Sequence, residues 1–484
     1  LPPLSADALQ VRRGVAWVGL ASSVVALFDL LATSLLLLFW ATKADFGTAT
    51  TITAVFGALQ LLAEGGLPAA LIQSKDEPDD ARLSTSFWFG IVAAIALYAV
   101  LWVVAPAVGR TFGDPVLVDV LRVFGLVLPI RALYTTPQAV LRRHLRFKGI
   151  AAVRITANTI EFIVKIAVAA AGHPMWSFIV GPLARELIYA IGLPLYLRWR
   201  PRLAFSPRML VHDLRFGVRA NGGEFLFQLY SNLDYLVIRY AWSSDAVGLY
   251  RAAYELVLEP VRFLSGIVTV VAFPTFARLR ADRAALVDQL VGFLRQNLLV
   301  VLPYLAIVVI AAEDCLATFA GSEFAAAGDA ARVLTIAAVL RSLSHLGPPL
   351  LDGLGRPGLT LRYQITAAVL MTSLFVAIGM WGSSYESIAL SWAIGYPFAF
   401  LMLGVMVFGL LEVSPMLLVQ KLGRQAACIA AAAALGAIAH YLVRDAAPTL
   451  RLTMTAAVVL SAGAALLAVF DGFSPRAIVR SLRR

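Results

Sequence analysis

The chain has 484 residues, of which 60% are hydrophobic and 14% charged, and its mean hydropathy is +0.82. Soluble globular domains are about 45–50% apolar and about 25% charged, so a water-soluble enzyme is excluded and a polytopic membrane protein is expected. Against that background 40 Lys and Arg face 29 Asp and Glu, a net charge of +11, and the placement of those cations carries most of the information.

A helix crosses a hydrocarbon layer in about 20 residues, and the apolar runs lack the alternation of barrel strands. Fourteen spans are predicted, an all-α fold: 14–40, 48–73, 83–105, 116–141, 148–171, 174–197, 214–240, 246–273, 288–311, 328–350, 358–380, 386–411, 424–443 and 450–471. Turn residues separate them at Gly113-Asp114-Pro115, Gly172-His173-Pro174, Ser243-Ser244-Asp245 and Gly382-Ser383-Ser384. Leu1–Arg13 is a short mixed segment leading into an apolar run, so no cleavable leader is expected. Cys315 and Cys428 are far apart and read as small apolar residues rather than as a disulfide. The five histidines have no ligand spacing, and no metal or other cofactor is expected.

Cytoplasmic loops retain positive charge. With the N-terminus inside, the inner segments hold 24 Lys and Arg, while the outer ones hold Lys43, Arg110, Arg444 and Arg451. Both termini are therefore predicted to be cytoplasmic. The outer loops are short, the longest being acidic through Glu313, Asp314, Glu323 and Asp329. The basic inner loops match topology and anionic headgroups, so nucleic acid is not expected as a partner.

The other twelve cations fall within spans 4 to 10: Arg122, Arg131, Arg154, Lys165, Arg185, Arg219, Arg239, Arg251, Arg262, Arg295, Arg332 and Arg341. A charge at mid-membrane costs about 2.5–3.5 kcal/mol on insertion scales and normally faces a partner or a watery cavity. Those near span ends can snorkel. Nearest the midplane are Arg131, Arg185, Arg262 and Arg341, with Lys165 slightly further out, and Glu161, Glu186, Glu224, Glu259, Asp29 and Glu64 lie at comparable depth. Arg251, Glu255, Glu259 and Arg262 form one stripe on span 8 by their spacing, and Asn221, Glu224, Gln228 and Tyr235 begin a polar face on span 7. Glu161 and Lys165 are placed to neutralise each other. The stripes predict a central cationic cavity and hence an anionic cargo. Tyrosines 134, 189, 230, 235, 250 and 254 could stack on sugar or simply pack between helices.

The junction Ala-Asp45-Phe46-Gly47-Thr after span 1 is echoed by Ser-Asp245-Ala-Val-Gly248-Leu-Tyr250 after span 7, which suggests two six-span copies. The expected organisation is an N-lobe at 1–200, a C-lobe at 201–415 and appended spans 13 and 14 with the tail at 416–484. The stretch DFGTATTITAVFGALQLLAEGGLPAALIQ at 45–73 resembles Wzx-type oligosaccharide flippases of the multidrug, oligosaccharidyl-lipid and polysaccharide exporter superfamily. Similar passages follow in family order: QAVLRRHLRFKGIA at 138–151, SNLDYLVIRYAWSSDAVGLYRAAYEL at 231–256, FPTFARLRAD at 273–282 and LLDGLGRPGLTL at 350–361.

The resemblance implies two lobes that rock about a cavity and move a polyprenyl-pyrophosphate-linked oligosaccharide, of the undecaprenyl type, across the bacterial inner membrane for O-antigen, capsule or exopolysaccharide assembly. Such a protein is a transporter, not an enzyme. Its implied partners are the bilayer, the lipid-linked oligosaccharide, and polymerase and chain-length proteins of the same pathway. In related lipid II flippases the last two helices help to form a lipid-tail groove, a role that would fall to 424–471. Family members often carry an Arg near the end of helix 1, whereas this chain has Phe39-Trp40-Ala-Thr-Lys43. The expected diphosphate ligands are therefore Arg131, Arg185, Arg262 and Arg341, with Lys165 and Arg251 beside them. Glu224, Asp234, Glu255 and Glu259 are candidates to pair those cations or to bind a coupling H⁺ or Na⁺. The rivals are a multidrug antiporter of the same superfamily, disfavoured by the positive stripe, and a membrane-embedded polymerase or ligase, disfavoured by the short outer loops.

Overall fold

The computed structural model describes residues 6–74 and 76–471. The side chains of Arg12, Arg13, Arg219, Asn221 and Glu224, together with Lys75, Arg476, Arg480, Arg483 and Arg484, lie outside the described residues. Among the described residues there are only helices: α1 (Ala6–Phe39), α2 (Lys43–Glu64), α3 (Leu67–Gln73), α4 (Asp80–Thr111), α5 (Val116–Phe124), α6 (Val127–Arg143), α7 (Phe147–Ala170), α8 (Pro174–Leu197), α9 (Pro207–Ala241), α10 (Ser244–Leu279), α11 (Arg283–Phe319), α12 (Gly328–Ser344), α13 (Gly347–Gly353), α14 (Pro357–Trp381), α15 (Glu386–Leu411), α16 (Met416–Leu442) and α17 (Pro448–Phe470). A short 3₁₀ segment, Ser322–Ala327, joins α11 to α12.

Among the described residues ten helices are long and apolar enough to cross a membrane: α1 from Ala21, α2, α4, α8, α10, α11 and α14 to α17. The other four expected spans correspond to α5 with α6, to α7, to α9, and to α12 with α13. Two of these are broken into pieces of 17 residues or fewer. α7 carries Lys148, Arg154, Glu161 and Lys165, and α9 begins among His212, Asp213 and Arg215.

Each break has a local cause. Gly65 and Gly66 both adopt left-handed φ, 55° and 71°, and Pro68 opens α3 behind them; a side chain would strain both positions. Gly125 precedes Pro129, whose missing N–H cannot reach the Gly125 carbonyl, so Leu128 donates there instead at 3.0 Å and tightens the turn. Between α12 and α13 the run Leu346-Gly347-Pro348-Pro349 removes two successive donors. Every break therefore sits inside an expected span.

The chain divides into two compact units, one ending at Gly248 and the other beginning at Leu249. The sequence places the lobe junction at the basic loop 198–215, but α9 belongs to the first unit. It packs on α2, α3 and α4, and ion pairs hold it near both ends. Arg82 grips Asp213 with Nε to Oδ2 at 2.8 Å and Nη2 to Oδ1 at 2.6 Å, and Arg239 Nη2 donates to Asp114 Oδ2 at 2.7 Å. α7 and α8 pack on each other, α1 lies on α7, and α6 lies on α8. Ile52, Phe56, Leu117, Leu121, Phe124 and Ile179 belong to one apolar core of this unit.

The repeated junction motif has a local explanation. Thr42 and Asp45 form a reciprocal capping box at the start of α2, with Asp45 N–H donating to Thr42 Oγ1 at 3.2 Å and Thr42 N–H to Asp45 Oδ2 at 2.9 Å. The start of α10 uses Ser243 Oγ, which accepts from Ala246 N–H at 3.2 Å. The two glycines of the motif then face each other. A Cβ on Gly47 would overlap the Ser244 carbonyl, and one on Gly248 would overlap the Lys43 carbonyl. Each glycine meets the residue four positions before the other.

In the second unit α11 is the centre: α12, α16 and α17 all pack on it, and α15 packs on α12 and α14. Phe276, Leu294, Leu298, Leu350 and Leu403 lie in its largest apolar core.

Candidate functional site

In the first unit the two broken spans face each other. Glu64 is the last residue of α2, just before the Gly65-Gly66 break, and Arg131 follows Pro129 in α6. Arg131 Nε donates to Glu64 Oε1 at 2.9 Å. With its amide oxygen turned toward the guanidinium, Gln60 accepts from the same group. Both line a cleft of about 400 Å³, counting its open mouth, together with Ser86, Thr135 and Thr136.

The polar chain continues inward. The Arg131 guanidinium lies 5.9 Å from the Tyr134 ring centre. The Tyr134 hydroxyl donates to Glu186 Oε2 at 2.6 Å, and Arg185 Nη2 donates to Glu186 Oε1 at 3.0 Å. From its other side Arg185 donates to Glu161 Oε2 at 2.9 Å, while Lys165 Nζ pairs with Glu161 Oε1 at 2.8 Å. Glu161 and Glu186 are both buried, and Asp29 acts on Lys165, Glu161 and Arg185 through space. Burial of a carboxylate in such a place is tolerable only because two donors hold it.

Arg131, Lys165 and Arg185 thus belong to one polar network, and the i, i+4 pairing of Glu161 with Lys165 is formed. The expected surplus of positive charge is absent from this network: its three cations are matched by Glu64, Glu161 and Glu186. Gln60 was not anticipated from the sequence, and Glu64 and Tyr134, though noted there, were not joined to Arg131 and Glu186. The available signal was Gly and Pro interrupting the apolar runs of spans 2 and 4, which places irregular backbone beside a cavity.

In the second unit Arg341 stands on α12 four residues before His345, where the span breaks. It is 7% exposed. Its Nη1 donates to the Tyr254 hydroxyl at 3.1 Å, and its guanidinium lies 5.5 Å from the Trp392 ring centre. Trp392 is fully buried and donates from Nε1 to the Tyr250 hydroxyl at 2.9 Å, with Phe375 against its ring. Ser344 and Tyr396 share a hydroxyl hydrogen bond of 2.8 Å. Tyr250 and Tyr254 therefore serve in a packed aromatic cluster. Trp392 was not anticipated, because a lone Trp in an apolar span carries no periodic signal.

The stripe on α10 resolves into two local pairs, Arg251 with Glu255 at 2.7 Å and Arg262 with Glu259 at 2.6 Å. Arg262, expected at the midplane cavity, is 58% exposed along its side chain. Asp234 is buried on α9 and accepts from the Tyr235 N–H at 2.9 Å. The remaining described intramembrane cations also have protein partners: Arg122 over Trp102, Arg154 with Ser22, Arg295 with Asp471, and Arg332 with Glu313 and Asp329. Among the described residues no cluster of His, Cys, Asp and Glu is suited to a metal ion.

These features define an all-helical polytopic membrane protein whose interrupted spans bring charge into the bilayer. Its fold is that of solved transporters. It superposes on the lipid II flippase MurJ in an inward closed conformation with a TM-score of 0.76 at 12% identity, covering 94% of this chain and 99% of that one. An inward-facing multidrug resistance MATE family transporter of the MOP superfamily gives 0.57 at 15% identity, covering 81% and 95%.

Residues 40–329 match the model of a family described as polysaccharide biosynthesis protein, and the chain belongs to that family. The teichuronic acid biosynthesis protein TuaB of Bacillus subtilis strain 168 is 25% identical over 377 residues, 76% of this chain and 77% of TuaB. The lipopolysaccharide biosynthesis protein WzxC of Escherichia coli K12 is 22% identical over 326 residues, 66% of this chain and 65% of WzxC. The resemblance read from the sequence to Wzx-type proteins holds.

Proposed function

We propose that this chain is a flippase that carries a polyprenyl-pyrophosphate-linked oligosaccharide, of the undecaprenyl type, across the bacterial inner membrane by alternating access. The observation that carries the reading is the family match, extended by TuaB and WzxC over most of the chain. The placement of Arg131 and Arg341 beside breaks in spans 4 and 10, corresponding members of the two six-span copies, supports it. A guanidinium binds phosphate through two parallel hydrogen bonds and stays charged when buried. Arg341, beside the break in α12, is the first candidate for the diphosphate. In the first unit an anion must displace Glu64 from Arg131 before it can bind there, so Glu64 acts as an internal competitor. The tail stays in lipid while the sugar head crosses, and no bond of the cargo is broken.

Both termini face the cytoplasm in this reading, and six-span lobes move about the site. The carboxylates suited to a coupling H⁺ or Na⁺ are Glu161 and Glu186 as well as Asp234, Glu255 and Glu259. Polymerase and chain-length proteins of the same pathway are the expected partners. The charge-neutral network of the first unit removes the sign argument against a cationic drug, so the relatives alone set the multidrug rival aside.

The test is uptake of lipid-linked oligosaccharide into proteoliposomes. Arg341→Ala and Arg131→Ala are expected to lose transport by at least about tenfold, the scale of one charged hydrogen bond. Normal uptake by both would sink the site assignment, and drug resistance conferred on an expressing strain without oligosaccharide uptake would favour the antiporter.

A further inference from the structure

α6 and α7 are joined by the short link 144–146, and each carries one polar stripe. Arg131, Thr135, Gln138 and Arg142 on α6 are spaced by four, three and four residues, and Arg154, Asn158, Glu161 and Lys165 on α7 repeat that spacing, so each set shares one helix face. The ends of the stripes far from the link hold Arg131, Glu161 and Lys165 of the ion network. The ends near the link hold Arg142 and Arg154. A side chain leans toward the N-terminus of its own helix. Arg142 therefore leans back along α6, away from the link, while Arg154, about 10 Å along α7, leans toward it, which brings the two cations toward one depth.

The two adjacent arginines that end α6 are used differently. Arg143 closes the carbonyl end of α3: its Nη1 donates to the Leu71 and Ser74 carbonyls, each at 2.9 Å, and its Nη2 donates to the Asp76 carbonyl at 3.0 Å. Arg142 is exposed and makes no hydrogen bond or ion pair among the described residues. It nevertheless lies within the fields of Glu64, Arg131, Arg154 and Tyr134. A guanidinium that is open to solvent and still sensed by groups on α2, α6 and α7 borders a watery space between those helices. Between Arg131 and Arg142 the helix buries every residue except Leu133, Thr135 and Gln138, so the opening follows the polar stripe. Arg154 is half-buried and is met by a hydroxyl, its Nη1 donating to Ser22 Oγ at 3.1 Å. The carboxylates in reach are already engaged, since Glu64 is bonded to Arg131 and Asp29 also faces Lys165 and Arg185. The positive surplus missing from the deep network stands here, beside the link.

We infer that Arg142 and Arg154 form an entry subsite for the diphosphate of a lipid-linked sugar, holding the anion before it competes with Glu64 for Arg131. The identity of the cargo rests on the flippase reading above. What the subsite itself recognises is a diphosphate, whose two negative charges and unshared oxygens match two guanidinium forks. An anion docks here without displacing a carboxylate, which makes this an easier first contact than Arg131. Gln138 lies on the same face between Thr135 and Arg142, half-buried and without a hydrogen bond among the described residues. Its amide offers both a donor and an acceptor to a hydroxyl of the attached sugar. On the orientation proposed above the link faces the cytoplasm, so cargo arriving from that side meets this subsite first.

Two measurements on the full chain in nanodiscs of zwitterionic lipid test it. Phenylglyoxal modifies guanidinium groups, and peptide mass spectrometry reads its addition residue by residue. Arg142 is expected to react readily and to be protected at least about fivefold by inorganic pyrophosphate, but not by sodium chloride of equal ionic strength. No protection of Arg142, or equal protection by chloride, would overturn the subsite whatever the protein carries. Arg154→Gln should weaken that protection, because the two arginines share one anion; undiminished protection would break the pairing. In the uptake assay Arg142→Gln should raise the apparent KM for lipid-linked oligosaccharide about tenfold and leave the maximal rate within about twofold, since an entry contact is lost and the later ones remain. An unchanged KM, in a preparation where Arg341→Ala does lose transport, would refute the subsite and leave the flippase reading standing. Pyrophosphate protection of Arg142 in a chain that takes up no lipid-linked oligosaccharide would keep the subsite and remove the flippase reading.

Discussion

Spans 4 and 10 are both broken by glycine and proline, and each brings one arginine close to its break. Their described surroundings differ. Arg131 enters a chain of ions in which every carboxylate is held by at least one cation, whereas the contacts described for Arg341 include a tyrosine hydroxyl and a tryptophan face. A guanidinium can be accommodated in a membrane by opposite charge and by polarisable rings and hydroxyls. At Arg131 the site is already occupied by the protein's own carboxylate; at Arg341 aromatic rings contribute to holding the cation.

The largest effect expected from this difference is at Glu161. Glu161→Ala leaves Lys165 and Arg185 without their shared carboxylate and should destabilise the protein by about 3–5 kcal/mol, the scale for orphaning buried charge. Thermal unfolding in detergent would measure it. If the loss stayed within a few tenths of a kcal/mol, the network would be solvated and the contrast with Arg341 would collapse.

A smaller effect, about 1–3 kcal/mol, is expected for Gly47→Ala and equally for Gly248→Ala, because each new methyl meets backbone that cannot turn aside. Similar losses from both, and a double variant losing less than the sum, would confirm the reciprocal contact. Unequal losses would mean that the copies do not pack as equivalents.

Arg341 is sharper as a transport test than as a stability test. Trp392→Leu should cost about 1–2 kcal/mol through the lost ring contact with the cation. Arg341→Lys should keep the fold and still lower oligosaccharide uptake several-fold, since an ammonium cannot offer two parallel donors. Equal uptake by the Lys variant would show that Arg341 acts only as a charge.

The smallest effect belongs to Arg283 and Glu412, exposed at the surface of the second unit. The hydrogen bond from Arg283 holds the Glu412 carboxyl below its ordinary range. A lowered carboxyl contributes stability above its unfolded pKa and loses it as the pH falls through the folded value. Solvent screens this pair, so Glu412→Gln should leave the melting temperature unchanged at neutral pH. A clear drop would show that exposed pairs matter here as buried ones do.

Much of the architecture was legible in residue order. Ten of the fourteen spans expected from apolar run length correspond to described helices long and apolar enough to cross a membrane, and the duplicated junction motif identified two residues, Gly47 and Gly248, that do meet. The pairing of Glu161 with Lys165 followed from helical spacing alone. What the spacing did not give was partnership across helices: Glu64 was noted but not joined to Arg131. Spacing along one helix says which residues share a face, not which neighbouring helix covers it.

Composition by itself determined that the chain is a helical membrane protein, because lipid forbids an unpaired backbone; that three expected spans are interrupted by glycine and proline became visible only in the structure. The sign of the net charge was also a sequence property. Whether a buried cation is neutralised was decided only by the tertiary structure, since partners come from other helices: Glu64 for Arg131 and Glu161 for Arg185.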